Sequence, residues 1–478
     1  MEDSRTSNVD AHVERACARL TRAFGSKVFP GRSGQNFWFY DAKQAAATPV
    51  CRMEPDSAEE VSAALKILVE ERCPFAVSSG GMARGVGSSN ADGGVTIDLV
   101  RMNSVTVADD RQTVTLGAGA RWMDVYEVLD AQGLTVPGGG ISFYSGRRGW
   151  ACDGITSYEL VLPSSQIVVV DRATHPDLFF ALRGAGSCNF GIVTSFTMAA
   201  MELSDPKGIW MGLDVYRRDQ VPRFLDAVQT VWAGEDPDLG MGAFYTFSPT
   251  AQAFSLIVFS PHVSHQADRT RPTSLAVFDD LERVPDTSQS AVVPMAEATR
   301  MIGRGAVPGQ RNRWVTFTYR PSREFDHHLY SIYEEEALTL QDRPGFNSNL
   351  LTQLLPRRTA ESSDERGHGC LGVPDHGTPL VLATYAWSYL EAADDQAVEE
   401  VARRCFRRTE AKAKELEVWH PFRYINYADE AIQATDVWDG YGPETVARLR
   451  AIQKQVDPDG VFTSQGLARG YFKLNPHL

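Results

Sequence analysis

The chain has 478 residues, of which 43% are hydrophobic and 23% charged, and a net charge of −14. That length exceeds one ordinary core, so two domains are expected. The acidic balance, with no Lys/Arg run interleaved with aromatics, argues against nucleic-acid binding, and no apolar run is long enough to span a bilayer.

The first ten residues, MEDSRTSNVD, are polar and acidic, and as written they are not a secretory leader, so a cytoplasmic location is expected. The seven cysteines are scattered without a CxxC pair, which argues against a zinc cluster. An odd count without a leader favours reduced thiols. No His/Cys cluster has metal-ligand spacing, and His327 and His328 read as surface residues of a helical segment.

Asp56 or Ser57 can cap a helix whose first turn carries Glu59 and Glu60 and whose apolar face is Val61, Leu65 and Leu68. Pro74 ends it, and a strand Phe75-Ala76-Val77 follows, giving a β–α–β start. Next comes the glycine-rich loop Ser78-Ser79-Gly80-Gly81-Met82-Ala83-Arg84-Gly85-Val86-Gly87-Ser88, then a strand Val95–Leu99. Glycines let a backbone turn tightly and bring its N–H groups against a ligand, so such a loop can cradle a diphosphate. A strand is expected at Thr113–Leu116, a helix carrying Trp122, Val125 and Leu129, and strands at Ile167–Val170 and Gly191–Phe196.

From about Trp210 the texture changes to alternating β segments at Trp210–Tyr216, Ala243–Phe247, Phe254–Phe259, Trp314–Tyr319 and Val381–Tyr389. Helices are expected near Val221–Trp232 and Phe325–Leu340, from Asp394 to about Glu417, and from Pro443. This pattern reads as an antiparallel sheet covered by helices. Residues 262–290 and 356–378 read as polar loops. The stretch from Arg304 to Arg313 holds a Pro308-Gly309 turn, and its arginines suit a solvent loop as well as a substrate clamp. Tyr385, Trp387 and Tyr389 share one strand face by period two. That stripe reads either as packing beneath helices or as an aromatic wall for an apolar, polyketide-like substrate.

Four segments stand in a familiar order: SSGGMARGVGSSNADGG (78–94), GAGARWMDVYEVL (117–129), ALRGAGSCNFGIVTSF (181–196) and YINYAD (424–429). Together they resemble the berberine-bridge-enzyme-like fungal FAD-linked oxidases, within the vanillyl-alcohol-oxidase class. The resemblance implies an α+β two-domain flavoprotein fold. Its parts would be a helical segment over 1–44, an FAD-binding domain over 45–205, an antiparallel-sheet substrate domain over 206–420, and a C-terminal segment, 421–478, returning to the FAD domain. It implies FAD as cofactor, a small-molecule substrate and molecular oxygen as partners, and a place in secondary metabolism. Oligomeric state is left open.

Carried over by position, Ser79, Gly80, Gly81, Met82, Ala83, Gly85, Gly87 and Ser88 match the diphosphate loop. Gly138 and Gly139 match its neighbour, and Gly186, Asn189, Gly191, Ile192 and Val193 match the segment against the flavin and adenine. Asn426 and Tyr427 match a C-terminal strand reaching the isoalloxazine. Tyr427 and Tyr385 are the candidate catalytic bases, with Tyr424 a neighbour of the first. The chain departs from the family twice. Met82 stands where relatives place a histidine bonded covalently to the flavin, and a thioether cannot form that link. After Gly139 a further glycine-rich stretch, which carries the second (cysteine) tether in some relatives, is missing. Cys152 matches a different, structural cysteine. These departures imply noncovalently bound FAD. The alternatives are a flavin-independent isomerase, cyclase or dehydratase in the same pocket, a binding scaffold, or a gap that lies in the exon assignment.

Overall fold

The fold, taken from a computed structural model, is described for residues 11–264, 271–303, 307–357, 369–371 and 378–474. The chain forms two compact units: Met1–Arg121 with Thr156–Met198 and Ala447–Leu478, and Trp122–Ile155 with Ala199–Val446.

In the first unit, Ser57 caps the helix Ala58–Glu70 by accepting the Glu60 amide at 3.3 Å, and Glu59 and Glu60 occupy the positive first turn. Val61, Leu65 and Leu68 are fully buried, each worth about 1.5–3 kcal/mol relative to exposure. The helix joins Cys51–Met53 to Phe75–Ser78, and both strands run parallel to Val95–Asp98, which lies between them. Val28–Pro30 completes this four-stranded sheet on the Cys51–Met53 edge. On the other side, the Phe75 N–H donates to the Leu467 carbonyl at 2.8 Å and its carbonyl accepts from the Arg469 N–H at 2.7 Å. A five-stranded sheet follows, in the order Val105–Val107, Thr113–Gly117, Ile192–Ala199, Ile155–Val161 and Ile167–Asp171.

The N-terminal helix Ala11–Phe24 lays Val13, Ala16 and Leu20 on this core. Cys17, on that helix, forms a disulfide with Cys51. The expectation of reduced thiols is corrected at this pair: the amphipathic face of the helix brings the two Cα atoms to 6.0 Å, within bridging range.

The second unit is built on an eight-stranded antiparallel sheet. Its order is Gln289–Val293, Ile209–Arg217, Ala253–His262, Gly242–Ser248, Asn347–Leu355, Leu380–Tyr389, Arg311–Tyr319 and Trp419–His420. The helices Val221–Gly234, Arg323–Leu338 and Asp395–Glu415 cover one face and bury Tyr216, Tyr245, Leu350, Phe317, Tyr385 and Trp387 beneath them. The opposite face carries Val215, Ile257, Phe244 and Leu351, which are register neighbours and only half-buried.

Among the elements that went unexpected are the strands Ile155–Val161, Gln289–Val293 and Asn347–Leu355 and the helices Met295–Gly303 and Glu430–Tyr441. The expected loop at Arg304–Arg313 is also corrected. Residues 304–306 lie outside the described residues, and Arg311 and Arg313 belong to a strand. Arg311 pairs with Asp395 at 2.6 Å, and Arg313 pairs with Asp429 at 2.9 Å and Glu399 at 2.8 Å, so neither is a solvent residue or a clamp. Of the two expected loops, 265–270, 358–368 and 372–377 lie outside the described residues. Among those described, no helix is long and apolar enough to cross a membrane.

Candidate cofactor cradle and site residues

Where the strand Phe75–Ser78 ends, the chain enters the glycine loop, and the protein holds that loop at both ends. At its start the Ser79 hydroxyl donates to the Ala118 carbonyl, and the Tyr40 amide donates to the Gly81 carbonyl at 2.9 Å. Gly81 has φ 71°, and an added Cβ would stand 2.8 Å from the Trp38 carbonyl oxygen and 3.0 Å from its ring, so the site admits glycine alone. At the far end Gln44 donates to the Ser88 hydroxyl at 2.6 Å, and that hydroxyl donates to the Gly85 carbonyl at 2.7 Å.

Between these anchors the loop is open. The amides of Gly80, Gly81, Met82 and Ala83 donate to no other protein group among the described residues. No atom lies within 4 Å of a Cβ built on Gly80 or Gly87. Met82 is 52% exposed and Val86 74%. A row of amides left without protein acceptors suits an anion. Ser79 and Ser88 direct their hydroxyl hydrogens into the protein, so their part is to hold the loop's shape.

The Gly186–Val193 segment is in the same unit and is mostly structural. Gly186 has φ 74°. Asn189 is fully buried, donates to the Phe472 carbonyl at 3.2 Å and accepts the Leu474 amide at 2.9 Å, so its carboxamide pins the chain's last residues. A Cβ on Gly191 would lie 2.5 Å from the Val161 carbonyl oxygen. Ile192 is buried in the core, and Val193 is half-buried beside it.

The remaining matched positions belong to the second unit. Gly138 lies against the Trp122 ring, and a Cβ there would stand 2.5 Å from the Tyr126 hydroxyl. Gly139 has φ 80°. Gly140 abuts the Tyr424 hydroxyl, which also accepts from Asn426 Nδ2 at 2.9 Å. The expected strand at 424–427 is a turn instead, closed by the Tyr427 amide on the Tyr424 carbonyl at 2.9 Å. Tyr424 is buried and stacks on Trp150 at 5.3 Å, whereas Asn426 is exposed.

The structure separates the two candidate bases. Tyr385 is fully buried on the helix-covered face, with its hydroxyl 2.5 Å from Thr409 Oγ1 and its ring stacked on Tyr333 at 5.8 Å. Burial raises its pKa well above the ordinary tyrosine value. The assignment of Tyr385 as a base is therefore corrected: it is a core residue, as the packing alternative for the 385–387–389 stripe had it. Tyr427 is half-buried and meets Trp314 edge-on at 5.4 Å. Trp314 alternates with Val315 and Phe317, so it lies on the sheet face away from the helices.

Sequence reasoning missed two residues beside the cradle. The Trp38 ring borders Gly81, and the Arg121 guanidinium sits 4.5 Å from that ring's centroid. Their one signal was Arg121 itself, two residues past the Gly117-Ala118-Gly119 turn. Asp236, Asp238 and His262 also gather within 4.8 Å. They bind their own partners: Arg147 holds Asp238, and Ser274 donates to Asp236 at 2.9 Å.

Comparison with known proteins agrees with this architecture. Residues 49–171 match the FAD binding domain family. The chain is 30% identical to the FAD-dependent monooxygenase sdcF of Emericella nidulans, over 97% of this chain and 98% of that one. It is 29% identical to the FAD-dependent monooxygenase drtC of Aspergillus calidoustus (97% and 91% covered) and 27% identical to the bifunctional solanapyrone synthase of Alternaria solani (97% and 89%). Among solved structures, 6-hydroxy-D-nicotine oxidase from Arthrobacter nicotinovorans superposes with a TM-score of 0.75 at 20% identity, covering 94% of this chain and 97% of that one. A berberine bridge enzyme variant gives 0.73 at 14% identity, with 95% and 99% covered. The family match and the sequence relatives identify a flavin-linked oxidoreductase. The chain belongs to the FAD-dependent oxidoreductases, it shares its fold with the berberine bridge enzyme, and FAD is its cofactor. The open amides of Gly80–Ala83 fit the diphosphate of that cofactor.

Proposed function

We propose that the protein oxidises a small apolar metabolite in fungal secondary metabolism, with FAD held noncovalently. The observation that carries the reading is the cradle itself: its amide row is intact and open, yet Met82 occupies the anchoring position. A thioether has no nucleophilic nitrogen with which to bond the flavin. Bound flavin supplies a hydride acceptor whose reduced form is reoxidised by oxygen. The chain's own residues bind and orient. The amides of Gly80–Ala83 hold the diphosphate, and the apolar row Val215, Ile257, Phe244 and Leu351 favours an apolar substrate over a sugar. Tyr427, beside Trp314 on that face, is the candidate base: as the phenolate it would accept the substrate proton and become the neutral phenol. The bifunctional solanapyrone synthase among the relatives supports a place in secondary metabolism.

The test is to purify the protein with added FAD, precipitate it with acid and follow the visible flavin absorbance in pellet and supernatant. Flavin in the supernatant and oxygen uptake with substrate are expected. Flavin retained in the pellet would refute noncovalent binding. Turnover without oxygen uptake or FAD dependence would favour an isomerase or cyclase instead.

A further inference from the structure

We propose that Arg121, carried on the face of Trp38, is a cationic clamp for the diphosphate of FAD. The proposal rests on the reading of FAD as cofactor.

Three links set Arg121 beside the cradle, all within the first unit. First, the Ser79 hydroxyl donates to the Ala118 carbonyl, tying the start of the loop to the turn that leads into Arg121. Second, that turn is fixed in place. Gly119 packs directly on the Leu99 carbonyl, the Gly119 amide donates to Met102 O at 2.9 Å, and the Ala118 amide donates to Thr194 O at 2.9 Å. Third, Trp38 touches Gly81 and carries the Arg121 guanidinium 4.5 Å from its ring centroid, while Tyr40, two residues on, bonds the Gly81 carbonyl. The loop, the tryptophan and the arginine thus form one assembly.

Arg121 is exposed, and no carboxylate pairs with it among the described residues. Exposed arginines such as Arg72, Arg148 and Arg407 also lack a carboxylate partner among them, so what sets Arg121 apart is its seat on the Trp38 ring that borders Gly81. Stacking on Trp38 restrains the side chain without neutralising it. A guanidinium keeps its charge at every working pH and presents paired N–H donors that match phosphate oxygens. Amides alone offer partial charges to a ligand that carries two full negative charges. A single fixed cation at the rim supplies the missing countercharge and makes the binding salt-dependent.

The experiment measures dissociation constants for FAD, by flavin-fluorescence quenching, and for ADP, by calorimetry, which carries the diphosphate without the ring. Arg121→Gln is expected to weaken both by about tenfold and to flatten their salt dependence, while Arg121→Lys recovers most of the affinity. The ligand-free melting temperature should be unchanged, because the residue is exposed. Equal affinities of wild type and Arg121→Gln for FAD and ADP would overturn the clamp and leave the cofactor reading intact. A loss for FAD with ADP unchanged would also overturn it, moving Arg121 to the ring end. A wild-type protein that takes up neither ligand would overturn the cofactor reading, and the clamp with it.

Discussion

The side-chain amide of Gln433 pairs with both main-chain groups of Thr316: the Thr316 N–H donates to Gln433 Oε1 at 3.1 Å, and Gln433 Nε2 donates to the Thr316 carbonyl at 2.7 Å. The neighbouring strand Trp419–His420 pairs only Thr318 and Tyr319, so the ladder stops short of Thr316. A fully buried glutamine takes the place of the absent strand, from a helix whose backbone leaves helical geometry at that residue. Gln433→Leu strands one buried donor and one buried acceptor. The expected loss is about 2–4 kcal/mol in urea unfolding, with faster hydrogen exchange at the Thr316 amide. Unchanged exchange there would remove this role.

Asp326 is buried, accepts from the Tyr319 hydroxyl at 2.6 Å and from Gln229 Nε2, and is pushed up to about 6 by its burial. Its folded pKa exceeds the ordinary carboxylate value, so between about pH 4 and 6 the folded state holds the proton and the unfolded state does not. This contribution to stability is therefore present at low pH and is lost as the pH rises through 6. Asp326→Asn should flatten the stability profile across that window by up to about 3 kcal/mol, read from urea midpoints at closely spaced pH values. Parallel profiles for variant and wild type would count against it.

The Cys17–Cys51 bridge closes a separation of 34 residues and ties the N-terminal helix to the first sheet. Cross-linking a loop of that length stabilises by about 2–4 kcal/mol, mainly by restricting the unfolded chain. The double variant Cys17→Ser/Cys51→Ser should melt several degrees lower, and dithiothreitol should lower the wild type to match. A reductant-insensitive melting curve would show that the pair is not bridged.

Tyr427 and Tyr385 should separate cleanly. Tyr427→Phe removes the candidate phenolic base and should lower kcat by about a hundredfold with little change in melting temperature. Tyr385→Phe removes one buried hydrogen bond to Thr409, costs about 1 kcal/mol of stability and leaves kcat within about twofold. The reverse pattern would move the chemistry to the helix-covered face.

Much of this fold was legible because its signals are local. The Ser57 cap, the Val61–Leu65–Leu68 face and the alternation in Trp210–Tyr216 each fix an element from neighbouring residues, and each reappears in the structure. The strand Asn347–Leu355 was missed because its polar residues come in blocks, Asn347-Ser348-Asn349 and Thr352-Gln353, rather than alternating, and its register comes from partners distant in sequence. Period two could put Tyr385 and Trp387 on one face, but only the packing of Arg323–Leu338 and Asp395–Glu415 decides that this face is the covered one. The glycine loop was visible as a motif. Trp38 and Arg121 were not, because their meeting depends on two turns folding against each other.

The two main-chain bonds from Phe75 to Leu467 and Arg469 have a consequence for biosynthesis. The strand that leads into the cradle is made early, but its outer edge is sealed only by residues near the end of the chain. A ribosome therefore delivers the whole inserted unit before the first one can close. The second unit has all the strands of its sheet in hand while the Phe75 edge of the first is still open. A chain cut before Leu467 is expected to keep every strand of the second unit's sheet and to lose both of those main-chain partners of Phe75.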